Sequence, residues 1–238
     1  MKARILNIIL LISLVSCSNA EELKIKKDYS LKVREPSGLT YDQSSDSFWT
    51  VSDESSTLYN ISSKGKVLDK IEIDAYDLEG IAVSSDRDFY VVDEFYKELI
   101  ILDSQGEEQK RVKLDIQSPE NNGPEGICLN EGNSRIILVN EKNPGLLQIY
   151  DYQGNKEREF LLDFAPDYSG ITYDKGRNAF WILSDEAKTL YLVNMEEGVQ
   201  ARYQLDIPDP EGIAVDKKGR LYIVSDSQDK LYQMEKID

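Results

Sequence analysis

Apolar and polar positions in this chain alternate with the period of a β-strand, and the same short pattern returns five times. Units open at SGLTYD from Ser37, EGIAVS from Glu79, EGICLN from Glu125, SGITYD from Ser169 and EGIAVD from Glu211. Their glycines, Gly38, Gly80, Gly126, Gly170 and Gly212, are 42, 46, 44 and 42 residues apart. Each opening is followed by a polar turn such as SSDRD or DKKGR. A run rich in aromatic and β-branched residues comes next: FWTVSD, FYVVDE, IILVNE, FWILSD and LYIVSD. A third run carries Leu-Tyr or Leu-Ile, and after a Gly-containing turn a fourth closes near Leu-Asp or Ile-Asp. Four short strands returning about every 40–45 residues predict the blades of a β-propeller. No stretch keeps a 3.6-residue apolar period over the length of a helix.

The last unit ends at Asp238 after its third strand, whereas ELKIKKDYSLKV, from Glu22 to Val33, reads as a strand without a unit. Placed as the missing outer strand, that segment would close the ring and leave no open edge. The expected architecture is therefore all-β: a five-bladed β-propeller of four-stranded antiparallel blades over residues 22–238. The recurring aromatics, Tyr41, Trp49, Tyr59, Tyr173, Trp181 and Tyr191, are expected to pack blade against blade.

The first residues read as an export signal. Lys2 and Arg4 precede a 12-residue apolar run, Ile5 to Ser16, which is too short to span a bilayer as a helix. The run ends in LVSC, which resembles the bacterial lipobox and implies a lipid on Cys17. Residues 1–16 would then be a signal peptide and residues 17–21 a lipidated Cys with a polar tether. An ordinary signal peptide cut near Ala20 is the alternative. The chain is expected at the bacterial cell envelope, on the outer membrane where there is one. The other cysteine, Cys128, occupies a small position in its unit and reads as a packing residue.

Charge and composition narrow the chemistry. With 28 basic and 44 acidic residues the net charge is −16, which disfavours nucleic acid as a partner. The chain has no histidine, so imidazole metal sites and histidine general bases are excluded.

The EGI and SDE repeats after a lipoprotein-type signal resemble the SdiA-regulated family of exported bacterial proteins, and more distantly NHL-repeat propellers. The resemblance implies a five-bladed propeller with bound calcium and no settled biochemical activity.

Carboxylates recur at both ends of each first hairpin. Counting symmetrically about the turns opposes Glu79 to Asp93, Glu125 to Asn140, Glu211 to Asp226, Ser169 to Asp185, and Ser37 with Gly38 to Asp53. All would then gather at one mouth of the channel. Crowded like charges repel by roughly 4 kcal/mol at 4 Å and an effective dielectric near 20. Raised pKa values, backbone hydrogen bonds or a cation could relieve this. Oxygen donors without His or Cys suit calcium, with magnesium or manganese behind it. The expected ligands are Glu79, Glu125 and Glu211, then Asn140, Asp93 and Asp185. The alternative is that the strand-end Asp residues bond to loop amides.

Three functional readings follow. The first is an envelope-anchored, calcium-binding module, monomeric, for a protein, peptide or glycan ligand. The second is a metal-dependent hydrolase, lactonase- or esterase-like, using the channel cation. The third is a structural factor with a hydrogen-bonded channel.

Overall fold

The computed structural model describes residues 20–118 and 122–237. Five sheets stand around an axis as blades. Blade 1 is Pro36–Asp42, Ser47–Ser52, Thr57–Ile61 and Val67–Glu72. Blade 2 is Leu78–Val83, Phe89–Asp93, Glu98–Leu102 and Glu108–Lys113; blade 3 is Pro124–Asn130, Arg135–Asn140, Leu146–Asp151 and Lys156–Leu161. Blade 4 is Gly170–Asp174, Ala179–Ser184, Thr189–Asn194 and Gly198–Gln204. Blade 5 takes Pro210–Val215, Leu221–Ser225 and Lys230–Met234 from the end of the chain and Ile25–Ser30 from its beginning. The molecule is the five-bladed propeller that the repeats predict.

Ring closure follows the expected route, with an addition. Ile25–Ser30 pairs antiparallel with Lys230–Met234, opposing Tyr29 to Leu231. Just before it, Glu21 and Glu22 pair parallel with Tyr203 and Gln204 on the outer edge of blade 4. Glu21, expected in the tether, and Glu22 thus form a short strand, and the segment stitches the seam between blades 4 and 5. Buried Leu23 lies between the two pairings, in the apolar cluster of that seam. Cys17 lies outside the described residues.

Each seam carries one apolar cluster, filled by the second strands, which are buried on both faces. Trp49 of blade 1 meets Phe89 of blade 2 edge-on at 4.8 Å, and Phe48 of blade 1 meets Tyr222 of blade 5 at 4.6 Å. The recurring aromatics are seam and hairpin packing, as expected. Cys128 is buried, and burial pushes its thiol well above the ordinary range.

Around the axis the first strands touch one another directly. A Cβ on Gly80 would fall 2.3 Å from the Glu125 carbonyl oxygen, and one on Gly170 would fall 2.2 Å from that of Glu211. The recurring glycine therefore exists because neighbouring backbones occupy the space of a side chain. The next residue of each unit, Leu39, Ile81, Ile127, Ile171 or Ile213, is buried in the channel. These five close it to a void of 10 Å³, too small for more than about one water. The propeller has a cup at its mouth, and these five side chains constrict the channel below it.

Candidate cation site at the channel mouth

The mouth is built by a register shift. In blades 1, 2, 3 and 5 a bulge follows the first residue of the inner strand, so Pro36 opposes Ser52, Leu78 opposes Asp93, Pro124 opposes Asn140 and Pro210 opposes Ser225. Symmetric counting about the turn placed Glu79 across from Asp93 and Glu125 across from Asn140; the bulge moves both pairings by one residue. A bulge re-aims the side chain that follows it. Here it turns Ser37, Glu79, Glu125 and Glu211 into the cup, where Ser169 of blade 4 joins them as an inner ring.

The same shift separates two positions at the end of the second strand. Ser52, Asp93, Asn140, Ser184 and Ser225 are fully buried, and all but Ser52 bond through their side chains to loop backbone. Asp93 accepts from the amides of Tyr76 at 2.7 Å and Tyr96 at 2.9 Å, while Asn140 donates to the carbonyls of Lys142 and Pro144. Neither lines the cup. The residue after each of them, Asp53, Glu94, Glu141, Asp185 or Asp226, is acidic in every blade, and all but Glu94 line the cup as an outer ring. Asp185 is in it as expected. Asp77 and Glu35 supply further carboxylates from the strand-entry loops.

Two groups of carboxylate oxygens converge. Asp53, Asp77 and Glu79 each bring an oxygen to within 4.8 Å of the others, and so do Glu94, Glu125 and Glu141. Of the six ligands the sequence suggests, Glu79 and Glu125 sit in these groups, and Glu211 and Asp185 line the same 200 Å³ cup. Asp77, Glu94 and Glu141 were missed. The signal for Glu94 and Glu141 was in the repeats: the last letters of FWTVSD, FYVVDE, IILVNE, FWILSD and LYIVSD are all acidic, whereas Asp77 lies outside these runs.

The electrostatics reflect crowding over an apolar floor. Desolvation, reinforced by Glu79 and Glu211, holds the Glu125 carboxyl well above its ordinary 4.5. Burial also raises Glu79, against a 2.6 Å hydrogen bond from Ser37 Oγ to its Oε2. Glu211 is pushed up to about 8 by burial and by Asp185, and Asp77 to about 7 by burial and a hydrogen bond with Asp53. Glu94 is raised by burial too, though the Gly123 amide donates to it at 2.7 Å.

Cationic relief is one-sided. Lys142 Nζ lies 2.6 Å from Glu141 and 2.9 Å from Glu186, and Lys188 Nζ lies 2.7 Å from Asp185 and 3.0 Å from Asp209. Among the described residues no ion pair reaches Asp53, Asp77 or Glu79. One buried carboxylate oxygen, Asp226 Oδ1, has no hydrogen-bond partner. Ligand oxygens about 2.4 Å from a shared calcium can be at most about 4.8 Å apart, and both trios lie within that bound.

The SdiA-regulated family matches residues 22–234, nearly the whole described chain. The chain belongs to that family. Among solved structures, the glutaminyl cyclase of Myxococcus xanthus superposes with a TM-score of 0.72 at 13% identity, over 91% of this chain and 98% of that one. A streptogramin B lyase gives 0.58 at 17% identity, over 93% and 75%. The nidogen/laminin complex contributes a chain at 0.59 and 15% identity, over 81% and 73%. At these identities the likeness is one of fold: this chain shares the propeller with enzymes and with a chain of the nidogen/laminin complex.

Proposed function

We propose that this member of the SdiA-regulated family is a calcium-binding module held at the bacterial envelope by a lipid on Cys17. The observation that carries the reading is the convergence of Asp53, Asp77 and Glu79 without a cationic partner. Asp53, Asp77 and Glu79 would hold one ion, and Glu94, Glu125 and Glu141 are a second set of the same chemistry. The bound ion would neutralise the ring and keep its carboxylates ionised. Magnesium and manganese rank behind calcium, because a crowded carboxylate cup suits a larger, less geometrically demanding ion.

The ligand surface on this reading is the rim beside blade 2. Tyr76, Phe95 and Tyr96 are 65%, 48% and 45% exposed, and their rings contact one another at 4.8–6.0 Å. They flank Asp77 and Glu94, and Asp93 pins both of their loops. Exposed aromatic groups of this kind mark binding surfaces for a protein, peptide or glycan. The 200 Å³ cup is smaller than the roughly 300–1,000 Å³ of small-molecule sites, which favours binding at the rim over catalysis inside.

Two assays test the reading. Cys17→Ser should move the protein from the membrane fraction to the soluble one. A lactone and ester panel assayed with calcium should show no turnover. Calcium-dependent turnover abolished by Glu79→Gln would replace the binding module with a hydrolase, and membrane association surviving Cys17→Ser would remove the lipid anchor.

A further inference from the structure

At the end of the propeller opposite the acidic cup, the seam between blades 3 and 4 is open. The cavity there is 540 Å³ and reaches Ile137, Ile149, Phe160 and Phe180. Two departures from the repeat open it. The second residue of the runs FWTVSD, FYVVDE, FWILSD and LYIVSD is aromatic, Trp49, Tyr90, Trp181 and Tyr222, each at least 97% buried against the next blade. In blade 3 it is Ile137.

The second departure lies in the turn between the third and fourth strands. Blades 1 to 3 place a glycine there with positive φ: Gly65 at 75°, Gly106 at 84° and Gly154 at 76°. Each packs on the outer strand of the preceding blade. A Cβ on Gly106 would meet Ile71 at 2.3 Å, one on Gly154 would meet Val112 at 2.6 Å, and one on Gly65 would touch Leu31 at 3.0 Å. In blade 4 the positive-φ glycine comes one residue later, Gly198 at 80°, so Glu197 takes the corresponding position and Met195 and Glu196 lie along the wall of the cavity. Phe160, the counterpart of Ile71 and Val112, therefore faces the opening.

Among the described residues, the rim carries a cation outside any ion pair. Arg158, two residues before Phe160 on the same strand face, lines the cavity and makes no ion pair or hydrogen bond among the described residues. Arg135 is beside it but engaged by Glu157, and Glu196 is the acidic rim residue. In a chain of net charge −16, an uncommitted guanidinium over an aromatic floor is the local exception. Guanidinium suits oxyanions, which it can hold through two parallel hydrogen bonds.

We infer that this cleft is a binding site for a small amphipathic anion, with a flat or branched apolar body between Ile137, Phe160 and Phe180 and one carboxylate or sulfonate on Arg158. Its volume is in the range of small-molecule sites. It is independent of the cation at the mouth.

The test is a fluorescence titration of the purified protein with anilinonaphthalene sulfonate, beside its neutral analogue N-phenylnaphthylamine. One saturable site is expected, with the sulfonate bound more tightly. Ile137→Trp restores the residue type of blades 1 and 4, whose indoles reach Asp42 at 3.4 Å and Asp174 at 3.1 Å. The same indole in blade 3 would extend toward Asn130 and fill the cleft, so probe binding should vanish with the melting temperature retained. Arg158→Glu, an exposed change that keeps the fold, should weaken the sulfonate about tenfold and spare the neutral probe. If both variants bind like the parent, or if Tyr76→Ser with Phe95→Ser at the other face abolishes the signal instead, the inference is overturned.

Discussion

Two acidic neighbours, Asp93 and Glu94, do different work one residue apart. Asp93 is fully buried and satisfies two loop amides, so Asp93→Ala should cost about 1–3 kcal/mol by orphaning them. Chemical denaturation would measure that loss, and the calcium response should survive in the variant. The backbone-bonding alternative is thus the right description of Asp93, and the proposed metal ligand is its neighbour, Glu94. Mirror counting about the SSDRD turn could not see this, because a bulge adds a residue to one strand without leaving a mark in composition. Reading the repeat columns shows it: the acidic column ends at Glu94 and Glu141, and the column before it holds Ser, Asp or Asn.

The inner-ring carboxyls also set a pH dependence. Glu211 titrates at about 8 in the folded chain against an ordinary 4.5, so the folded state holds its proton more tightly than the unfolded state. Its contribution is fully present below about 4.5 and is lost as pH rises through about 8. Asp77, at about 7 against 3.8, acts in the same direction. Without metal, stability should therefore fall between pH 5 and pH 8 by roughly a few kcal/mol at most. Melting curves in chelator across that interval check the sign; a rise in stability with pH would contradict the assignment.

At the scale of elements, strand number and order were legible because each blade repeats a period-two pattern closed by turn residues. The bulges and the apolar plug were not, since both arise from contacts between blades. Gly80 shows the point: its sequence role reads as a turn or a weak strand, while in the ring it admits the Glu125 carbonyl. Gly80→Ala should force two inner strands apart and cost about 1–3 kcal/mol. The same change would displace Glu79, so a lower melting temperature should be accompanied by weaker calcium binding. A substitution without either effect would mean that the inner strands yield easily.

The whole molecule is closed by noncovalent pairing alone, without a disulfide among the described residues. The orphan strand at the beginning of the chain was legible from the unit left incomplete at the end. Its extension onto blade 4 was not, because EELK carries no apolar alternation. Removing residues 21–33 would unpair Lys230–Met234 and strip Leu23, Leu31 and Val33 from two seams. Calorimetry should show a markedly lower melting temperature, by more than about 5 °C. A truncated chain melting like the parent would show that the ring does not depend on this seam.

The central claim is that the acidic cup holds a hard divalent ion. The direct measurement is the melting temperature of the chelator-treated protein at pH 8, titrated with calcium, beside Asp77→Asn and Glu79→Gln. At a hundredfold excess over the dissociation constant, calcium should stabilise the protein by about 2.7 kcal/mol. For a domain of this size that is roughly 5–10 °C. Zinc should do no better, and each variant should lose most of the calcium response while melting higher than the parent in chelator. An unchanged melting temperature on adding calcium, with the variants simply more stable, would contradict the account and leave the cup a strained ring of protonated carboxyls.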